Sequence, residues 1–201
     1  MGDPVLAAVT ALAAGIVLAA AAGLRAFLPL AGLAWAARLG FVSLNQGFSW
    51  LGADTAVAAL TVAVLFELLG DKIPAVDHAL DAVGVLVKPL AGMVVIAASV
   101  ASLPPFWAAV LGIVAGAPLA GGIHLVKAKG RVLANLATLG FAAPLISLVE
   151  DIAGAILVVT ALLVPFLALV LAVLLFVVFR RGRRAAPASV PTPDPPRSTR
   201  S

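Results

Sequence analysis

The sequence predicts an all-α fold: a polytopic membrane helix bundle of six to seven membrane segments, some of them short or broken. Three observations carry this. The 201 residues are 63% hydrophobic and only 11% charged, with a mean hydropathy of +1.19, which a soluble domain of this length does not show. Apolar runs of the length needed for a ~30 Å hydrocarbon core recur along the chain. Lys and Arg are shared unevenly between the intervals that separate those runs, as the positive-inside rule requires.

The elements follow in order. Val5 to Ala22 is one apolar run, and Gly23-Leu24-Arg25 interrupts it ahead of a shorter segment, Ala26 to Leu39, that contains Pro29. The backbone is expected to break at Arg25, and such a break at membrane depth needs protein or water to satisfy the exposed groups. Phe41 to Trp50 carries no charge but holds Asn45, Gln46, Phe48 and Trp50, the make-up of an interfacial loop. Leu51 to Leu69 reads as the next span. Pro74 to Lys88 is amphipathic, with Asp77, Asp81, Gly84 and Lys88 on one stripe at helical spacing. Pro89 to Ala101 follows as a short segment, and Leu103-Pro104-Pro105 turns the chain into Phe106 to Ile123. A basic stretch from His124 to Arg131 precedes Val132 to Ser147, and the last apolar run extends from Ile152 to Phe179.

Seven crossings place the C-terminus, with Arg180-Arg181-Gly182-Arg183-Arg184, in the cytoplasm and the N-terminus outside. Arg25, Lys72, Lys88, Lys127, Lys129 and Arg131 then share the cytoplasmic side, only Arg38 dissents, and Glu150 and Asp151 fall near the external side. The N-terminus lacks the basic region of a cleavable signal. Residues 1–184 are read as one membrane domain and 185–201 as a disordered Pro/Ser/Thr/Arg tail. Echoes at a spacing of about 100 residues, Gly15-Ile16-Val17 with Gly112-Ile113-Val114 and Gly23-Leu24-Arg25 with Gly122-Ile123-His124, suggest an internal repeat.

Charge marks the functional address. From Pro4 to Phe179 the acids Asp54, Glu67, Asp71, Asp77, Asp81, Glu150 and Asp151 balance the bases Arg25, Arg38, Lys72, Lys88, Lys127, Lys129 and Arg131. The excess of positive charge therefore sits after Phe179, so no nucleic-acid partner is expected. A charge at membrane depth costs roughly 3 kcal/mol on insertion scales, so it persists where it is paired, wetted or used. Glu67 and Asp71 share a helix face, as do Asp77 and Asp81. Carboxylates so spaced can hold a hard cation or relay a proton, or they can form an elbow neutralised by Lys72 and Lys88 in headgroup water. Arg25, Glu67, Asp71, Lys72, Asp77, Asp81 and Lys88 are the candidate polar path, with Glu67 the favoured residue. His124, Lys127, Arg131, Asn135, Glu150 and Asp151 form a second cluster, for which anchoring of its bases to lipid phosphate and a solvated turn at Glu150 and Asp151 are the plain alternatives. A metal at the acids is left open, and no cofactor is expected.

The segments GLRAFLPLAG, ELLGDKIPAVD, VKPLAG, HLVKAKGRVLANLATLG and SLVED resemble a bacterial membrane family known as domain of unknown function 4126. The resemblance spans residues 10 to 155, and it implies a compact multi-helix protein of the bacterial inner membrane, with no substrate attached to it. Three functions stay open: a small transporter or channel for an ion, cation or proton favoured; a membrane scaffold or assembly protein; and a lipid-headgroup enzyme. No His-rich metal motif, Gly-rich phosphate loop or Ser-His-Asp set is present, so an enzyme is not expected. The expected partners are the lipid bilayer and a small ion or solute, with a homo-oligomer left open.

Overall fold

A computed structural model describes residues 3–70, 74–138 and 143–165, together with Val170 and Leu174. Asp71, Lys72 and the tail 185–201 lie outside the described residues, as do the side chains of Asp77 and Asn135. Among the described residues the fold is all helical: α1 (Pro4–Leu24), α2 (Phe27–Arg38), a 3-10 helix (Gln46–Gly52), α3 (Asp54–Gly70), α4 (Pro74–Ser99), α5 (Pro105–Leu111), a π turn (Gly112–Gly116), α6 (Ala117–Thr138) and α7 (Ala143–Leu163).

Among the described residues four helical stretches are long and apolar enough to cross a membrane: Pro4–Leu24, Ala79–Ser99, Pro105–Ala134 and Leu145–Leu163. The 3-10 helix and α3, bent by 67° at their junction, make a fifth if counted together. With 12 residues, α2 is only about 18 Å long and does not cross alone. Large apolar side chains such as Leu86, Leu133 and Val149 point outward from the bundle, which is the surface of a protein dissolved in lipid.

α1 and α4 form the centre. They run antiparallel, with Gly15 of α1 set against Ile96 and Ser99 of α4. The rod from α5 to α6 returns alongside: Gly92 of α4 faces Gly116 and Ala120, and Gly112 faces Met93. A Cβ on Gly92, Gly112 or Gly116 would lie within 3 Å of the opposing backbone, so these glycines set how closely α4 and the π turn approach. α2 and α7 complete the wall, with Gly32 packed on Val158. Val17, Leu18, Leu33, Val95, Ile96 and Ala120 are the fully enclosed heart of the core.

The chain reverses at two ends. At one end Asn45 is the stitch: its side chain donates to the carbonyls of Val100 (2.9 Å) and Leu103 (2.7 Å) and accepts from the Gly47 amide (3.1 Å). Nearby, Arg38 and Asp54 form an exposed pair at 2.5 Å. At the opposite, charged end lie the break between α1 and α2, the end of α3, the start of α4, the end of α6 and the start of α7.

Three expectations change. Pro74 to Lys88 and Pro89 to Ala101 are one helix, α4, with Pro89 inside it. Val132 to Ser147 is not a crossing, because residues 132–138 finish α6 and residues 143–147 begin α7. As a consequence Glu150 and Asp151 sit at the same end as Lys127 and Arg25, and not across the membrane from them. The suggested repeat also departs from symmetry, since the chain breaks at Arg25 but runs as unbroken helix through His124.

Candidate functional site

The charged end is assembled from helix termini. Helix ends leave amides and carbonyls without intrahelical partners, a severe cost where no bulk water reaches. α2 starts at Ala26 with no side-chain cap of its own. The carboxylate of Glu67, arriving from the last turn of α3, takes that role: the Ala26 amide donates to Oε1 at 2.8 Å and the Phe27 amide to Oε2 at 3.1 Å. An anion is favoured there because the amide dipoles of α2 leave its N-terminus partially positive.

Cations serve the opposite polarity. Lys127 Nζ donates to the Leu24 carbonyl at the end of α1 (3.1 Å) and pairs with Glu150 at 2.8 Å. Arg25 Nη1 donates to the Glu67 main-chain carbonyl at 3.3 Å, and Nη2 donates to Ser147 Oγ at 3.1 Å and pairs with Asp151. Arg25 thereby ties α3 and α7 to the α1 break. Its partner in charge is Asp151, while the Glu67 carboxylate is spent on the α2 amides.

These residues surround a cavity of about 60 Å3, room for a few water-sized atoms. Arg25, Lys88, Lys127 and Arg131 line it, against the carboxylates Glu67 and Asp81, with Phe27, Leu80 and Val83 as its apolar wall. Lys88 and His124, from α4 and α6, are buried at 5% and 2% exposure and meet with Nζ 3.0 Å from Nδ1. Asp81 and Arg131 stand 3.9 Å apart. Gly84 lies over the Lys88–His124 pair: a Cβ there would come 3.3 Å from Lys88 Cε and 3.4 Å from the His124 ring.

The structure thus brings together Arg25, Glu67, Asp81 and Lys88 of the first candidate set with His124, Lys127, Arg131, Glu150 and Asp151 of the second. The two sets are one network. Asp71 and Lys72 lie outside the described residues, as do the side chains of Asp77 and Asn135. Among the described residues no group of three or more His, Cys, Asp or Glu is arranged to hold a metal ion. Sequence reasoning gave no role to Ser147 in the site and missed the carbonyls of Leu24 and Glu67 altogether. Main-chain acceptors leave no mark in a sequence, and Ser147 is one small hydroxyl among many small residues.

Fold and site define a class: a compact helical membrane protein with a buried network of ions at one end. The chain belongs to the family described as Domain of unknown function (DUF4126), whose model matches residues 12–184. That match runs past the resemblance read from residues 10 to 155, through the last apolar run as far as Arg184. No curated protein and no solved structure matches the chain.

Proposed function

We propose that the protein is a small transporter or channel for an ion, with the charged cavity as the polar part of its path. The observation that carries this reading is Lys88. Its ammonium is buried beside His124, and among the described residues no carboxylate lies at ion-pair distance from it. A buried charge with no carboxylate in contact costs several kcal/mol, and replacing it with an apolar residue would remove that cost. A site that keeps such a group has use for a passing partner of opposite charge.

The lining bears on the choice of solute. Of the four cationic side chains that line the cavity, Arg25, Lys127 and Arg131 already face Asp151, Glu150 and Asp81, and Glu67 is held by two amides, which leaves Lys88 as the lining cation with no carboxylate in contact among the described residues. This favours a small anion over the cation preferred on sequence grounds. The proton keeps a role through the Lys88–His124 contact. At 3.0 Å the two nitrogens share one hydrogen, and a second proton would set two cations in contact. An anion entering the cavity offsets that repulsion, so anion and proton are expected to move together.

The charged end, with Arg25, Lys88, Lys127, Lys129 and Arg131, is assigned to the cytoplasmic face of a bacterial inner membrane by the positive-inside rule. The arginine-rich tail reads as cytoplasmic by the same rule.

Flux into liposomes carrying the purified protein tests the reading, using chloride, nitrate, acetate and phosphate, then sodium and potassium, with a pH-sensitive dye inside. An anion is expected to enter with acidification of the lumen, and Lys88→Met is expected to lower entry to the protein-free background at equal insertion. No flux of any ion would overturn the transport reading. Cation entry without anion entry would overturn the choice of solute.

A further inference from the structure

Gly84 is a glycine in the middle of α4 that no helix crossing demands. It is buried, and glycine is the poorest helix former after proline. At Gly92, Gly112 and Gly116 an added Cβ would meet opposing backbone, so the close approach of two helices requires the small residue. At Gly84 the nearest atoms would be side-chain tips alone: Lys88 Cε at 3.3 Å, the His124 ring at 3.4 Å and Lys88 Nζ at 3.4 Å. Glycine here leaves space against the Lys88 ammonium, and the two residues line the charged cavity together.

That ammonium has hydrogens to spare. Of its three, one is shared with His124 Nδ1 at 3.0 Å, and among the described residues the other two meet no protein acceptor. The neighbouring cations are matched one to one: Arg25 with Asp151, Lys127 with Glu150, and Arg131 with Asp81. A single positive charge is left over. Water in the cavity would satisfy the hydrogens and leave the charge, whereas an anion satisfies both. We propose that Lys88 Nζ seats one monovalent anion of the chloride or nitrate kind, and that Gly84 keeps the seat open. Size alone does not make this choice, since about 60 Å3 also admits a tetrahedral oxyanion. Charge does: a second negative charge would find no unmatched cation among the described residues and would face Glu67 and Asp81 across a chamber that screens poorly. The inference rests on reading the cavity as an anion site, though not on any ion crossing the membrane through it.

The test is chloride NMR of the full chain in detergent, with ionic strength held constant by gluconate. The wild type is expected to broaden the chloride line saturably, nitrate and bromide to remove the excess width, and sulfate at the same concentration to leave it. Lys88→Met is expected to lose the saturable broadening. Gly84→Ala is expected to bind chloride roughly tenfold or more weakly, through crowding of the seat, while melting in gluconate no lower than the wild type, because alanine is the better helix former. A glycine kept for packing alone would show the reverse, a lower melting temperature with chloride binding intact. Should a variant fail to insert, the wild-type competition still decides. No saturable broadening means that water alone serves Lys88 and overturns the site, and sulfate competing as well as nitrate overturns the choice of a monovalent ion. Saturable binding in a protein that carries no flux in liposomes upholds this site and removes only the transport reading.

Discussion

Replacing Glu67 by Gln tests whether a carboxylate holds the broken helix together. The substitution preserves size and leaves one acceptor oxygen where there were two. In the native protein Oε1 and Oε2 each accept from an α2 amide, at 2.8 and 3.1 Å. In the variant one amide keeps an acceptor, while the other faces a side-chain NH2, donor against donor. Hydrogen bonds to a charged group are worth about 1.5–3 kcal/mol, and an unsatisfied buried donor costs about 1–3 kcal/mol. Losing the negative charge at the α2 N-terminus adds up to about 1 kcal/mol. A destabilisation of about 2–4 kcal/mol follows, which at about 2–4 °C per kcal/mol for a chain of this size lowers the melting temperature by roughly 4–16 °C. The three tryptophans report unfolding in detergent by fluorescence. The Arg25 bond to Glu67 goes to the main-chain carbonyl, so it survives the change and the loss is assigned to the carboxylate alone. A Glu67→Gln protein melting within about 1 °C of the wild type would refute the capping argument.

Asn45→Ala removes three hydrogen bonds from a fully buried side chain; a loss of about 2–4 kcal/mol is expected, read as a lower melting temperature and faster proteolysis of the loop around residue 46. Gly116→Val forces the π turn away from Gly92, which its Cβ would meet inside 3 Å; overpacking of this kind costs about 1–3 kcal/mol or more, and a poor yield of monodisperse protein is the expected result, with normal yield counting against the close crossing. Arg25→Met alone breaks the Arg25–Asp151 ion pair and is expected to cost about 3–5 kcal/mol, whereas Arg25→Met with Asp151→Leu is expected to recover most of that stability. Thermal melts of the two single variants and the double variant give the coupling directly, and strict additivity would dissolve the pair.

Much of the fold was legible where the chain chemistry is local. Gly23-Leu24-Arg25 followed by Pro29 announced the break after α1, and Leu103-Pro104-Pro105 announced the turn into α5. Pro89 misled because proline removes a single main-chain donor, and within a packed bundle that loss does not end a helix; its ring instead rests against Gly121. The stretch from Val132 to Ser147 misled for a different reason. Its apolar residues belong partly to the end of α6 and partly to the start of α7, and hydropathy cannot show that one apolar run is divided between two helices. That error carried Glu150 and Asp151 to the wrong side. The individual charges of the site could be named in advance, but their partners could not, since Arg25 and Asp151 meet only through the way α1 and α7 pack.

The two ends of the bundle solve one problem with different chemistry, and the comparison separates fold from function. Both must satisfy main-chain groups where helices stop. Asn45 does so at one end with a neutral amide, so closing a reversal in this bundle does not require charge. At the other end Glu67, Lys127 and Arg25 bond to helix termini, and stitching accounts for their presence. Among the described residues Lys88 and His124 bond to one another and to no helix terminus, although burying them costs as much as burying the rest. The division has a measurable form: substitutions in the stitching set should lower melting temperature and flux together, whereas Lys88→Met and His124→Leu should stop flux in a protein that melts no lower than the wild type. If all five substitutions lowered stability alike, Lys88 and His124 would belong to the scaffold, and the cavity would have no claim on a solute.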